Sequence, residues 1–221
     1  MVEEKLDSYT KFFEDFNITP QEFFKWGIDN TIFPDYDISE NFWKDLLSRI
    51  YNNQPVYIRG YGRNSSHSFL FIDFYKFVFN NHNIMIDPSN NTKPQKNLSF
   101  LTNYKKNVNL FNYQRSHIWG HTKNIFLFEA PWNIAYVPKI IDPFTGHETI
   151  NASVAEYQKA FRSAAFEKYE KFIKEYNNII IEERISEKLY DFQKVLNGKI
   201  DDKILNRFII DCKNEFSMIN V

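Results

Sequence analysis

The chain is poor in the residues on which many small secreted or nucleotide-binding folds rely. Cys212 stands alone in 221 residues, so no disulfide can close within the chain, and no CxxC pair exists to hold a structural zinc. Glycine occurs six times, and neither a Walker loop nor a GxGxxG turn is spelled. No apolar run approaches the roughly 18–20 residues that a membrane-spanning helix needs. The isoleucines at 179–181 and the short run at 84–86 fall far below that length, so no membrane association is expected. The N-terminus has no charged start followed by an apolar segment and a small-residue cleavage site, which points to a cytoplasmic location. There is no internal repeat and no low-complexity tract.

Aromatic side chains are plentiful: 23 Phe, 13 Tyr and 4 Trp, within a hydrophobic share of 43% and a charged share of 25%. That balance describes a globular chain able to bury a real core. An excess of Asn, Lys, Ile, Phe and Tyr also accompanies AT-rich coding, so the aromatics alone carry no functional message. The net charge of −1 conceals an uneven distribution. Between Arg59 and Lys139 ten Lys or Arg face three acids, a surplus of seven, which leaves the flanks at −8. A basic middle between acidic flanks suits a phosphate-binding face.

Hydrophobic periodicity predicts helices over the first 53 residues: an amphipathic segment at 3–16, a second opened by Pro20, and a third at 38–51 with Asp37 as its cap. PVYIRGYGRN at 55–64 reads as a short strand entering a glycine-containing turn. A buried helix is expected over 65–79, capped by Ser65 or Ser66, with Phe69 and Phe77 inward. DPSNNTKPQKN at 87–97 has the composition of an irregular loop. Two runs compatible with strands follow at 113–119 and 132–140, then a turn, DPFTGHET, and a long helical pattern over 150–176. Two more helices, separated by the turn NGKIDD, complete the chain.

The most informative stretch is RSHIWGHTKN at 115–124, taken together with the segments downstream of it. Here a strand bears His117, a second strand bears Asn133, a turn carries Asp142 and His147, and a helix comes next. Phosphodiester hydrolysis needs a base to deprotonate water, and a neutral imidazole serves near pH 7 when its other ring nitrogen is held, commonly by a backbone carbonyl. Asp142 and His147 are suitable donors for one divalent cation, which would stabilise the charge that develops on the leaving oxygen. Cys212 has no obvious basic partner, the adjacency of Ser65, Ser66 and His67 does not make a triad, and the acid-x-Lys spelling at Asp201 and Lys203 sits in a turn.

In RSHIW, WNIAYVP and DPFTGHE, with 16 residues from His117 to Asn133, the chain resembles the HNH nucleases, the ββα-metal fold. The resemblance implies that His117 is the general base, that Asn133 braces the hairpin, and that Asp142 and His147 hold one Mg²⁺ or Mn²⁺. The family often has Asp immediately before the base, where this chain has Ser116. The fold expected is therefore α+β, a ββα-metal core embedded in a mostly helical protein. Residues 1–107 would serve recognition and dimerisation, 108–176 the core, and 177–221 would add helices. The expected substrate is double-stranded DNA, cut at specific sites by a homodimer of the restriction type. Arg59, Arg63, Lys105, Lys106, Arg115 and Lys123 are candidate phosphate or groove contacts, and His121 is a loop residue of open role. A non-specific, toxin-type or homing nuclease would share the core. A non-catalytic DNA-binding protein would keep the basic face without needing His117.

Overall fold

The computed structural model describes residues 6–60, 67–146 and 152–220. Arg63 and His147 lie outside them, as do Ser65 and Ser66. The fold is α+β and mostly helical. Helix α1 (Ser8–Phe16) begins at Asp7, whose carboxylate accepts the N–H groups of Tyr9 and Thr10. Helix α2 (Pro20–Asp29) has a reciprocal cap: Thr19 accepts from the Glu22 amide while Glu22 accepts from the Thr19 amide, and Pro20 fills a first-turn position that lacks an N–H partner anyway. Helix α3 (Tyr36–Tyr51) is capped two residues earlier than expected. Asp35 accepts the Ile38 amide, and Asp37 lies in the first turn, where its charge still favours the helix dipole.

Strands β1 (Val56–Ile58) and β2 (Ile84–Ile86) pair in parallel, with Val56 opposite Ile84, and helix α4 (Ser68–Phe79) lies between them in the chain. On α4 the inward side is Leu70, Phe71, Phe74, Tyr75 and Phe79. That stripe turns Phe69 and Phe77 outward, each 47% exposed, contrary to the inward placement expected for them. His67 occupies the cap position.

The segment read as an irregular loop contains the start of helix α5 (Thr92–Thr102). The buried Asp87 carboxylate makes the difference, because it accepts the backbone N–H groups of Ser89, Asn91, Thr92 and Lys93. Those bonds, together with the helix N-terminus, hold its carboxyl below the usual range despite burial, which pushes the other way. Pro94, an apparent breaker, falls in the first turn, where proline costs little.

Strands β3 (Tyr113–His117) and β4 (Ile134–Pro138) form an antiparallel hairpin in which His117 faces Ile134, Arg115 faces Tyr136 and Tyr113 faces Pro138. Strand β4 is buried throughout. One face, Ala135 and Val137, joins the main core, and the other, Ile134 and Tyr136, joins a smaller cluster with Leu98, Leu101 and Leu110. A 3-10 turn, Asp142–Thr145, leads toward helix α6 (Ala152–Glu182), which is interrupted by non-helical backbone at Tyr169. Helices α7 (Ile185–Leu196) and α8 (Asp202–Glu215) close the described chain. The main core draws buried side chains from Phe13 to Ile219, and so from all three sequence regions. Among the described residues no helix is long and apolar enough to cross a membrane.

Candidate functional site

The β3–β4 connection, residues 118–133, is folded back on itself by Asn133. The Asn133 carbonyl accepts the Ile118 amide, Oδ1 accepts from Trp119 N at 3.0 Å, and Nδ2 donates to Gly120 O at 3.1 Å and Leu127 O at 2.9 Å. The side chain is fully buried with both of its donor hydrogens engaged, so it is a cross-brace for the loop. Gly120 and His121 both adopt left-handed backbone, which turns the chain sharply after β3.

His117 ends β3, 8% exposed, with its ring stacked on Phe128 at a centroid distance of 5.5 Å. Its Nε2 lies 3.2 Å from the Phe128 carbonyl oxygen. A carbonyl only accepts, so Nε2 carries the proton in this hydrogen bond, and Nδ1 then has the ring's basic lone pair. Phe128 follows directly on Leu127, one of the residues braced by Asn133.

The loop is also tied to distant parts of the fold. Glu215 Oε2 on α8 accepts the amides of Lys123 at 3.0 Å and Asn124 at 3.1 Å, and the Asn124 side chain donates to Glu215 O and to the Tyr176 hydroxyl on α6. The Tyr75 hydroxyl on α4 donates to the Lys123 carbonyl. Arg162 Nε on α6 donates to Ile118 O, and Arg59 N, just past β1, donates to Thr122 O. Burial pushes the Glu215 carboxyl up to about 7, against the lowering pull of the Lys123 and Asn124 amides and the Lys123 charge.

The residues expected to form the site stand in quite different surroundings. Arg115 shares the His117 face of β3, two positions away, and its Nη1 donates to Gln95 Oε1 on α5 at 3.0 Å. Ser116 points to the opposite face, the side of Ala135 and the main core, and its Oγ has no hydrogen-bond partner among the described residues. It therefore does not stand beside the His117 imidazole as a donor. Lys123 was expected to reach phosphate from an open loop, but it is buried: its Nζ lies 3.4 Å from Asp211 Oδ2 and 3.4 Å from His67 Nε2. Burial, and then the Arg162 charge, holds His121 below the usual histidine range. Arg59 and Lys105 are exposed, and the Lys106 Nζ donates to Gln114 Oε1 at 3.2 Å. Asp142 opens the 3-10 turn that packs against β3, and its charge acts on Lys106 and Tyr157.

Sequence reasoning missed the buried group that joins His67, Lys123 and Asp211. His67 Nε2 meets Asp211 Oδ2 at 2.8 Å, and burial holds its pKa down against that carboxylate. The three residues are far apart in the chain, and the one available signal was on α8. Asp211 and Glu215, four residues apart, flank the buried stripe of Phe208, Ile209, Cys212 and Phe216.

Among the described residues no three His, Cys, Asp or Glu side chains come together as a metal site. Of the two expected donors Asp142 is described and His147 is not, so the described residues do not amount to a complete donor set for a divalent cation.

The family model described as "Uncharacterised protein PM1201" matches residues 34–221. The chain belongs to the PM1201 family. The protein described by the same words from Pasteurella multocida (strain Pm70) is 39% identical over 217 residues, which covers 97% of this chain and 98% of that one. The PM1201 match takes in the hairpin, its braced loop and the α8 segment that pins the loop, while α1 and α2 precede it. No solved structure matches the chain.

Proposed function

We propose that this protein is a metal-dependent endonuclease of the HNH type, hydrolysing phosphodiester bonds of double-stranded DNA at specific sites, as a homodimer in the cytoplasm. The observation that carries the reading is the His117 imidazole, held by the Phe128 carbonyl through Nε2 at the end of a hairpin whose loop is braced by a buried asparagine. In that tautomer Nδ1 takes a proton from water, and the resulting hydroxide attacks phosphorus as the P–O bond to the leaving oxygen breaks. Arg115, on the same strand face, carries a positive charge suited to a phosphate. One Mg²⁺ or Mn²⁺ per site belongs to the proposal through the family resemblance, with Asp142 and His147 as its candidate donors.

A second reading has its own support. Lys106 and Arg115 bond neutral amides of Gln114 and Gln95, which leaves their charge available to a polyanion with no chemistry required. Digestion of phage and plasmid DNA with Mg²⁺ or Mn²⁺ separates the two. Discrete fragments from the wild type, abolished by a chelator and by His117→Ala, are expected. A smear would replace site-specific cutting by non-specific cutting. If the wild type cuts nothing with any divalent metal, the enzyme reading fails, and DNA binding that survives His117→Ala favours the second reading.

A further inference from the structure

Several exposed lysines of this protein sit beside carboxylates, such as Lys11 with Asp15, Lys25 with Asp29, Lys171 with Glu40, and Lys194 with Asp191. The stretch 88–128 has six Lys or Arg and not one Asp or Glu, and of the six Lys123 is paired with Asp211 on α8. Lys106 loses proton affinity through burial and then through the like charges of Arg115 and Lys139. Among the described residues no salt bridge reaches Lys105 or Lys106. Even with the opposing pull of Asp142 on Lys106, cations packed this closely attract a polyanion.

Loop 103–112, between α5 and β3, supplies the second half of the argument. It is internally hydrogen-bonded: Lys105 N donates to Asn109 Oδ1 at 2.6 Å, Asn109 Nδ2 to Asn103 O at 3.2 Å, and Asn107 N to Leu110 O at 2.8 Å. Asn103, Asn107 and Asn112 take the left-handed backbone that these turns require, and Leu110 anchors the loop in the smaller cluster. The apolar side chains displayed by this built ridge are Tyr104, Val108 and Phe111, the last two 69% and 62% exposed. An apolar tip on an internally bonded loop, just past Lys105 and Lys106 and with no acid near in sequence, suits bases flanked by phosphates. Two copies of so cationic a surface would repel across a two-fold axis.

We propose that loop 103–112 is a DNA-contact edge, where Val108 and Phe111 press against a base step while Lys105 and Lys106 hold the flanking phosphates. The assignment rests on the reading of DNA as substrate, and it names a contact that reading does not contain. Side chains that wedge into a duplex partly unstack the step they enter.

The test is binding without cutting. The full chain is titrated with a labelled duplex carrying 2-aminopurine, in buffer with chelator, and anisotropy and base fluorescence are both read. The wild type should bind and raise the 2-aminopurine signal. Phe111→Ala and Val108→Ala, at exposed positions, should keep the wild-type circular dichroism, and Phe111→Ala should weaken binding about tenfold, as loss of one base–aromatic contact does. Lys105→Ala should lower the slope of log affinity against log salt by about one. The proposal is overturned if the wild type does not bind or does not raise the base signal. It is equally overturned if Phe111→Ala and Val108→Ala bind as tightly as wild type, or if they alter sedimentation and leave binding unchanged, since the tip would then cover a second copy. Tight, unstacking binding without any cleavage would sink the nuclease reading and leave this one standing.

Discussion

Asn133→Ala removes three hydrogen bonds at once and strands their partners inside the protein. The partners are Trp119 N–H, Gly120 O and Leu127 O, at 3.0, 3.1 and 2.9 Å. A neutral buried hydrogen bond contributes about 1 kcal/mol net, and more when its partner is left unsatisfied away from water. Trp119 and Leu127 are buried and carry the larger cost, while Gly120 is only half-buried and recovers water. The sum is about 3–4 kcal/mol, a large share of the roughly 5–15 kcal/mol that holds an ordinary domain together. At this chain length it corresponds to a fall in Tm of about 10 °C, given roughly 2–4 °C per kcal/mol. Asn133→Asp keeps the acceptor for Trp119 but turns a carboxylate toward two carbonyl oxygens, so at neutral pH it should be no better than alanine. Urea denaturation followed by circular dichroism measures the loss, and hydrogen exchange at residues 119–127 locates it. A loss below about 1 kcal/mol, the value of a single bond, would refute the cross-brace. So would exchange that rises uniformly over the chain with no excess in the loop.

The same surroundings give two further outcomes. Ser116→Ala deletes a buried hydroxyl that has no partner among the described residues, so stability should stay within about 0.5 kcal/mol of wild type and DNA cutting should persist, whereas Ser116→Asp, the residue more usual in HNH enzymes, should destabilise because it turns a charge into the main core. A loss above about 1.5 kcal/mol for the alanine variant would show that the hydroxyl has a bonded role. For Glu215 the folded carboxyl titrates near 7, above its ordinary value of 4.5, so the folded state holds the proton to higher pH and the group's contribution to stability declines as pH rises from about 4.5 to 7. His67 is shifted downward and works in the opposite sense, losing stability as pH falls below 6.5, so the comparison must be made between wild type and Glu215→Gln. The urea midpoint of the wild type should fall relative to Glu215→Gln between pH 5 and 7, and parallel profiles would refute the assignment.

The helices at both ends of the chain were legible because their apolar stripes keep a period near 3.6 and because Pro20 and the turn NGKIDD mark where two of them begin. The hairpin was legible too, since YQRSH and IAYVP are bounded by turn residues. Helix α5 was not. Its first turn, TKPQ, has loop composition, and the residue that makes it helical is Asp87, five positions before Thr92. The outward turn of Phe69 and Phe77 was hidden for a related reason: in FLFIDFYKFVF nearly every position is apolar, so periodicity cannot say which stripe faces inward. At the candidate site His117 falls on its strand as expected, whereas Asn133, expected on the second strand, closes the 3-10 turn Pro131–Asn133 that precedes it. The burial of Lys123 could not be read from the sequence, because it depends on Asp211 and His67, whose nearness no local pattern encodes.

The same long-range ties decide what the His117 loop can do. A lone imidazole at a strand end rotates and exchanges tautomers, and its value as a base depends on a carbonyl that stays in place. That carbonyl belongs to Phe128, on a loop whose backbone is gripped by Asn133 within the hairpin, by Tyr75 on α4, by Arg162 on α6 and by Glu215 on α8, and whose Asn124 side chain is held by Tyr176 on α6. Two of these grips, Tyr75 and Glu215, lie outside residues 108–176, the span expected to form the HNH-like core. The surrounding helices are therefore more than a carrier for recognition surfaces, because they fix the geometry on which the proposed chemistry rests. It follows that the hairpin cut out with α6 alone would lack the α4 and α8 grips and hold the Phe128 carbonyl less firmly than the full chain does.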